Sequence, residues 1–254
     1  MGISVKVEKH EQVPMGRKEK RELRDSVGFI VEQAIAALDG RLVLPKKIKV
    51  EVKTNPYDEY TIGNTSELRP DTLEFYFRNL QRITRGDEGS ALNIIGVGVA
   101  SHELSHMATL IRPDQISRSG DDLFDAVVDE GKADVVALAV LRDRFRVKAG
   151  VFARHERCTP AEKTSTLKAL AAPRHVATTF WSRITDAAFK ADVEAFERRS
   201  NVDSALNIAG GFICSKFVEI TGDDPFEMHA RSERAFIFSY QQLMQEEGFG
   251  VKQR

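Results

Sequence analysis

Between Ala91 and Arg112 the chain runs without proline, and apolar residues recur at Ile94, Ile95, Val97, Val99, Leu104, Met107, Ala108 and Leu110, which predicts one long helix. Inside it stands the run His102-Glu103-Leu104-Ser105-His106. With about 3.6 residues per turn, two histidines four positions apart lie on one face, one turn apart. From a rigid helix, that spacing lets two imidazoles reach one metal ion. Glu103 is rotated by about 100° from His102 on the same helix, so it can stand beside such an ion and accept a proton from a bound water without ligating. A helix that carries two histidines by accident is the alternative. In a chain of 254 residues with six histidines, a chance match is on the order of one per cent.

A catalytic zinc needs a third protein ligand and keeps its fourth position for water. The run Asp129-Glu130-Gly131-Lys132-Ala133-Asp134 offers one, since Glu130 follows His106 by 24 residues. That length lets the first helix end, a loop turn through Arg112-Pro113-Asp114 and Ser117-Arg118-Ser119-Gly120-Asp121, and a second helix return over about Leu123–Arg144. Phe124, Val127, Val128, Val135, Val136, Leu138 and Leu141 supply its apolar positions. Asp134 follows Glu130 by one turn, placed to accept the second ring N–H of a ligating histidine. A solvated acidic stripe of Asp121, Asp122, Asp125, Asp129, Glu130 and Asp134 is the competing interpretation.

A helix with His-Glu-x-x-His followed by a helix with Glu-x-x-x-Asp resembles the gluzincins, the thermolysin-like zinc metallopeptidases. The short form Glu130-Gly131-x-Ala133-Asp134 looks closest to a bacterial family of predicted zinc-dependent proteases. Ile62-Gly63-Asn64-Thr65 and Pro70-Asp71-Thr72-Leu73 are similar to that family as well, and the resemblance spans roughly residues 45–145. It implies zinc on His102, His106 and Glu130, Glu103 as base, and Asp134 behind a histidine. It also implies an oxyanion donor, a His or Tyr from the C-terminal part. His155, His175, His229 and Tyr240 are candidates, with His229 first because its neighbours Glu227, Arg231 and Glu233 are polar. Ala209-Gly210-Gly211-Phe212 looks like the Gly-Tyr-rich helix of those proteases but lacks the tyrosine.

A hydrophobic content of 42%, a charged content of 30% and a net charge of −1 describe an ordinary globular chain with no global attraction to nucleic acid or anionic membrane. The basic N-terminal residues, Lys6 to Arg24, are interleaved with Glu8, Glu11, Glu19, Glu22 and Asp25, which predicts a solvated helix face. The two cysteines, Cys158 and Cys214, suggest no disulfide framework and leave open whether they pair. With no apolar signal region and no stretch of about 18 apolar residues, the expectation is a cytoplasmic protein.

The pattern predicts a first helix over Arg17–Leu38 stopped by Gly40, a strand over Lys47–Lys53, a loop over 54–71, and a second strand over Thr72–Arg78. The resemblance implies that this second strand is a substrate-binding edge strand, as in zincins; a strand that merely covers the core is the alternative of equal weight. Beyond Val147, helices are expected over about 160–170, 174–199, 203–221 and 225–246, the last started by Asp224-Pro225. The fold class expected is α+β and predominantly helical. Residues 1–147 would form a zincin-like lobe with a small sheet and the histidine helix, and residues 148–254 a helical lobe, the two together expected as one compact unit. The functional expectation is a zinc-dependent metallopeptidase acting on a peptide or protein substrate. The alternative is a binding or regulatory protein on the same fold, against which the intact Glu103 argues. Oligomeric state and cleavage specificity stay open.

Overall fold

The computed structural model describes residues 2–7, 16–53, 61–66, 68–84, 90–111, 119–147, 150–172, 187–202 and 204–249. It is mostly helical with one small mixed sheet, and it divides into two units: Met1–Pro113 with Ala137–Ala149, and Asp114–Val136 with Gly150–Arg254.

In the first unit, α1 (Arg17–Leu38) has the predicted bounds and buries Leu23, Val27, Ile30, Val31, Ala34, Ile35 and Leu38. The Glu19 carboxylate accepts the Gly16 N–H at 2.7 Å, and the chain leaves the helix through Gly40 at φ 74°. The strand β2 (Lys47–Lys53) also has the predicted bounds, with Ile48, Val50 and Val52 fully buried and Lys47 and Lys49 exposed, the period-two pattern of a half-covered strand.

Four expectations are corrected here. The N-terminal residues Gly2–Val7 form a strand, β1, pairing parallel to β2 rather than extending a solvated helix. Its alternation of Ile3, Val5 and Val7 is a strand signal that the surrounding charges obscured. The expected loop over 54–71 contains β3 (Gly63–Ser66) and the start of β4 (Arg69–Tyr76), while residues 54–60 lie outside the described residues. Pro70 is tolerated near the beginning of β4, where a missing N–H costs least. Finally, β4 is not an edge strand. The order is β1-β2-β4-β3, with β4 parallel to β2 and antiparallel to β3, so β3 closes that side. Phe77 and Arg78, expected in the strand, begin the short helix α2 (Phe77–Ile83).

The helix α3 (Ser90–Leu110) carries the histidine pair and packs on α1 and on β3 and β4. It crosses α1 closely at Gly96, where an added Cβ would come within 2.8 Å of the Ile30 side chain. The following loop falls mostly on residues 112–118, outside the described residues. Asp121 then caps α4 (Asp122–Phe145), its carboxylate accepting the Phe124 N–H at 3.0 Å. This continuous helix begins in the second unit and ends in the first.

In the second unit, α5 (Arg154–Arg157) is a single turn that the sequence did not announce. The helix α6 (Pro160–Leu170) has the predicted bounds, and Thr159 and Glu162 form a capping box at its start. Of the helix expected over 174–199, residues 187–199 fall in α7 (Ala187–Ser200); 174–186 lie outside the described residues. The helix α8 (Ala205–Thr221) lies within the span expected for it. The helix expected over 225–246 is broken into α9 (Pro225–His229), a 3-10 turn (Glu233–Phe236) and α10 (Ile237–Glu246). Asp224 caps α9 as predicted, accepting the Phe226 and Glu227 N–H groups at 2.8 Å each. Leu123, Val127, Leu167, Phe196, Ala209, Ile213, Met228, Phe236 and Leu243 lie in one buried apolar cluster. Cys158 and Cys214 are both free thiols, Cys214 wholly buried. Among the described residues, no helix is long and apolar enough to cross a membrane.

Candidate metal centre

The α3 register puts His102 and His106 one turn apart, and their rings meet edge to face at 77° with centroids 4.8 Å apart. Their Nε2 atoms are 3.1 Å apart. Two nitrogens on one tetrahedral zinc, each at about 2.0–2.1 Å from it, sit roughly 3.3 Å from one another. The pair therefore already has the spacing of two ligands of one ion.

Glu130 completes the set. One ligand atom from each of His102, His106 and Glu130 lies within 4.8 Å of the others, and all three residues are partly exposed. Among the described residues no other group of three His, Cys, Asp or Glu side chains converges in this way. Two imidazole nitrogens and one carboxylate oxygen form a donor set suited to zinc, and three ligands leave a coordination position open.

Glu103 is not one of the converging side chains. It is 8% exposed and lies beneath β3, where a Cβ added to Gly63 would fall 2.8 Å from its Cγ and 3.0 Å from its Oε1. The Thr65 hydroxyl donates to the Glu103 carbonyl at 3.4 Å, a second tie between strand and helix at the same residue. Glu103 is thus turned off the helix face that carries the two histidines and lies against the edge strand.

On α4, Asp134 stands one turn beyond Glu130 and is 3% exposed. The acidic residues around it do not form a solvated stripe, since Asp122 and Asp125 are buried too, at 5% and 1%. Asp125 accepts the Ser119 N–H at 3.0 Å, which ties down the chain ahead of the helix.

The C-terminal candidates separate by environment. Tyr240 donates its hydroxyl to the Leu167 carbonyl at 3.3 Å and stacks edge-on with Phe124. Buried His155 has its Nε2 3.1 Å from the Ser215 hydroxyl, and its ring fills the space beside Gly211, where a Cβ would lie 2.3 Å from Nδ1. His175 lies outside the described residues. His229 ends α9 and is 8% exposed, rather than standing within one long final helix.

Two features escaped the sequence reading. Asn207 on α8 donates its Nδ2–H to Glu130 Oε2 at 3.0 Å. Gly210, in the stretch similar to a Gly-Tyr-rich helix, meets Gly131 backbone to backbone, with an added Cβ at Gly131 only 2.3 Å from the Gly210 carbonyl. A glycine in each helix was the signal available for that contact, though nothing local indicates which glycines meet.

No family model, curated protein or solved structure matches this chain.

Proposed function

We propose that the protein is a zinc-dependent hydrolase that cleaves peptide bonds, with His102, His106 and Glu130 as ligands and Glu103 as general base. The observation that carries this reading is the convergence of two Nε2 atoms 3.1 Å apart and a carboxylate oxygen inside one 4.8 Å group. The gluzincin resemblance of the two helical motifs supports the same assignment. Bound there, zinc would supply Lewis acidity toward a carbonyl and lower the pKa of a water to about 7.

The chain's own residues supply the rest. Glu103, buried and outside the ligand set, takes the proton of the attacking water on its carboxylate and delivers it to the departing amine. By the same resemblance, Asp134 would accept the ring N–H of a ligating histidine and so fix that ligand's tautomer. His229 is assigned to the substrate oxyanion on the strength of its polar neighbours Glu227, Arg231 and Glu233. Substrate selection falls to β3, the edge strand over Glu103, where an extended peptide can add main-chain hydrogen bonds.

The deciding experiment combines metal analysis with peptide-library cleavage. Wild-type protein should carry one zinc per chain and cleave peptides. His102→Ala and His106→Ala should lose the metal, whereas Glu103→Gln should keep it and lose at least about 100-fold in cleavage rate. Full zinc content in both histidine variants would overturn the ligand assignment. A zinc-loaded wild type without hydrolysis would favour a binding role on the same scaffold.

A further inference from the structure

We propose that Asn207 is a positioning residue for the metal centre: it aims the Glu130 carboxylate, and a glycine-to-glycine crossing of α8 on α4 holds it in place to do so. This inference rests on Glu130 being a metal ligand, and it adds α8 to the elements on which metal binding depends.

Glu130 is a partly exposed side chain with three rotatable bonds, so its carboxylate must be ordered before it can ligate at full strength. The Asn207 amide donates to Oε2 at 3.0 Å and thereby sets the orientation of the carboxylate group. An amide suits this task because it gives an N–H to an anion without adding charge, whereas an aspartate at the same place would repel it.

The distance depends on the two helix backbones. A Cβ added to Gly210 would lie 2.1 Å from the Val127 carbonyl oxygen and 2.6 Å from the Gly131 nitrogen. A Cβ on Gly131 would be equally blocked, at 2.3 Å from the Gly210 carbonyl carbon and oxygen. Neither position has room for a side chain, so the helices touch through bare backbone. Asn207 precedes Gly210 by one turn on α8, and Glu130 directly precedes Gly131 on α4, so the crossing delivers the donor to the acceptor.

The next residue is anchored as well. Lys132 donates to the Arg231 carbonyl at 2.6 Å and to Glu233 at 3.0 Å, with side-chain exposures of 2% and 4% for the ion pair. Three successive residues, Glu130, Gly131 and Lys132, are therefore each held by a different contact from the C-terminal half of the chain. That clamp fixes the rotation of α4 about its axis at the position of the ligand.

The test is zinc affinity measured by competition with a chromophoric chelator, together with the visible spectrum of the cobalt-substituted protein. Asn207→Ala should weaken zinc binding about 10- to 100-fold, as loss of such a supporting hydrogen bond does. Its cobalt spectrum should shift, and its melting temperature without metal should stay close to wild type. Asn207→Leu keeps the volume and removes the donor, so it should behave alike and serves if the alanine variant folds poorly. Zinc affinity within about threefold of wild type in folded Asn207→Leu, with an unchanged cobalt spectrum, overturns the proposal while leaving the metal centre standing. A wild type that binds no zinc overturns both.

Discussion

At the scale of single residues, burial separates carboxylates that the sequence presents as equivalent. Asp125, Asp129 and Asp134 share one helix, yet Asp125 is 1% exposed and bonded to Ser119, Asp134 is 3% exposed, and Asp129 is more open. Three alanine variants should therefore give three outcomes. Asp134→Ala should weaken zinc binding about 10- to 100-fold with the fold intact. Asp125→Ala should destabilise by about 1–3 kcal/mol, because the Ser119 N–H loses its acceptor, and should leave metal affinity alone. Asp129→Ala should change little in either respect. Chelator competition and thermal melts on the three proteins check this, and equal losses of zinc from Asp129→Ala and Asp134→Ala would remove the special role of Asp134.

At the scale of elements, the contact of β3 with α3 places the proposed base. Gly63 has no side chain where β3 crosses Glu103, and an added methyl would come within 2.8 Å of both Glu103 Cγ and Val99 Cγ1. Gly63→Ala must move the strand or the carboxylate. Displacement of a reacting group by about 1 Å can cost on the order of 100-fold in rate. The expected result is a cleavage rate reduced at least about 10-fold with zinc content unchanged, read by single-turnover assay beside metal analysis. Undiminished cleavage would mean that Glu103 tolerates displacement and that the contact serves packing alone. The break in the last helix also has an element-level cause. No glycine or proline lies between Phe226 and Glu246, so the local pattern reads as continuous helix. Glu233 instead turns inward to Lys132, 101 residues earlier, and the backbone follows it into a 3-10 turn.

At the scale of the whole molecule, the thiols report on folding. Both cysteines are free, and burial pushes both thiols upward, Cys214 the more strongly and Cys158 with a further contribution from Glu162. In native protein a thiol reagent should modify Cys158 slowly and leave Cys214 untouched, while denaturant should release a second equivalent. Cys158→Ser should abolish the native signal. Two equivalents reacting at once in native protein would contradict the burial of Cys214.

The sequence by itself determined what depends on neighbours a turn or two apart. The bounds of α1 and β2, the cap at Asp224, the pairing of His102 with His106 and the one-turn offset of Asp134 from Glu130 all follow from periods of about 3.6 or 2 residues and from capping chemistry. Tertiary structure decided what depends on distant partners. It put β3 rather than β4 at the sheet edge, brought Asn207 to Glu130 across 77 positions, and drew Lys132 to Glu233. A glycine, an asparagine or a lysine looks alike in sequence whether it faces solvent or a facing helix. Only the close approach of two backbones, which no local period encodes, selects the ones that hold the site.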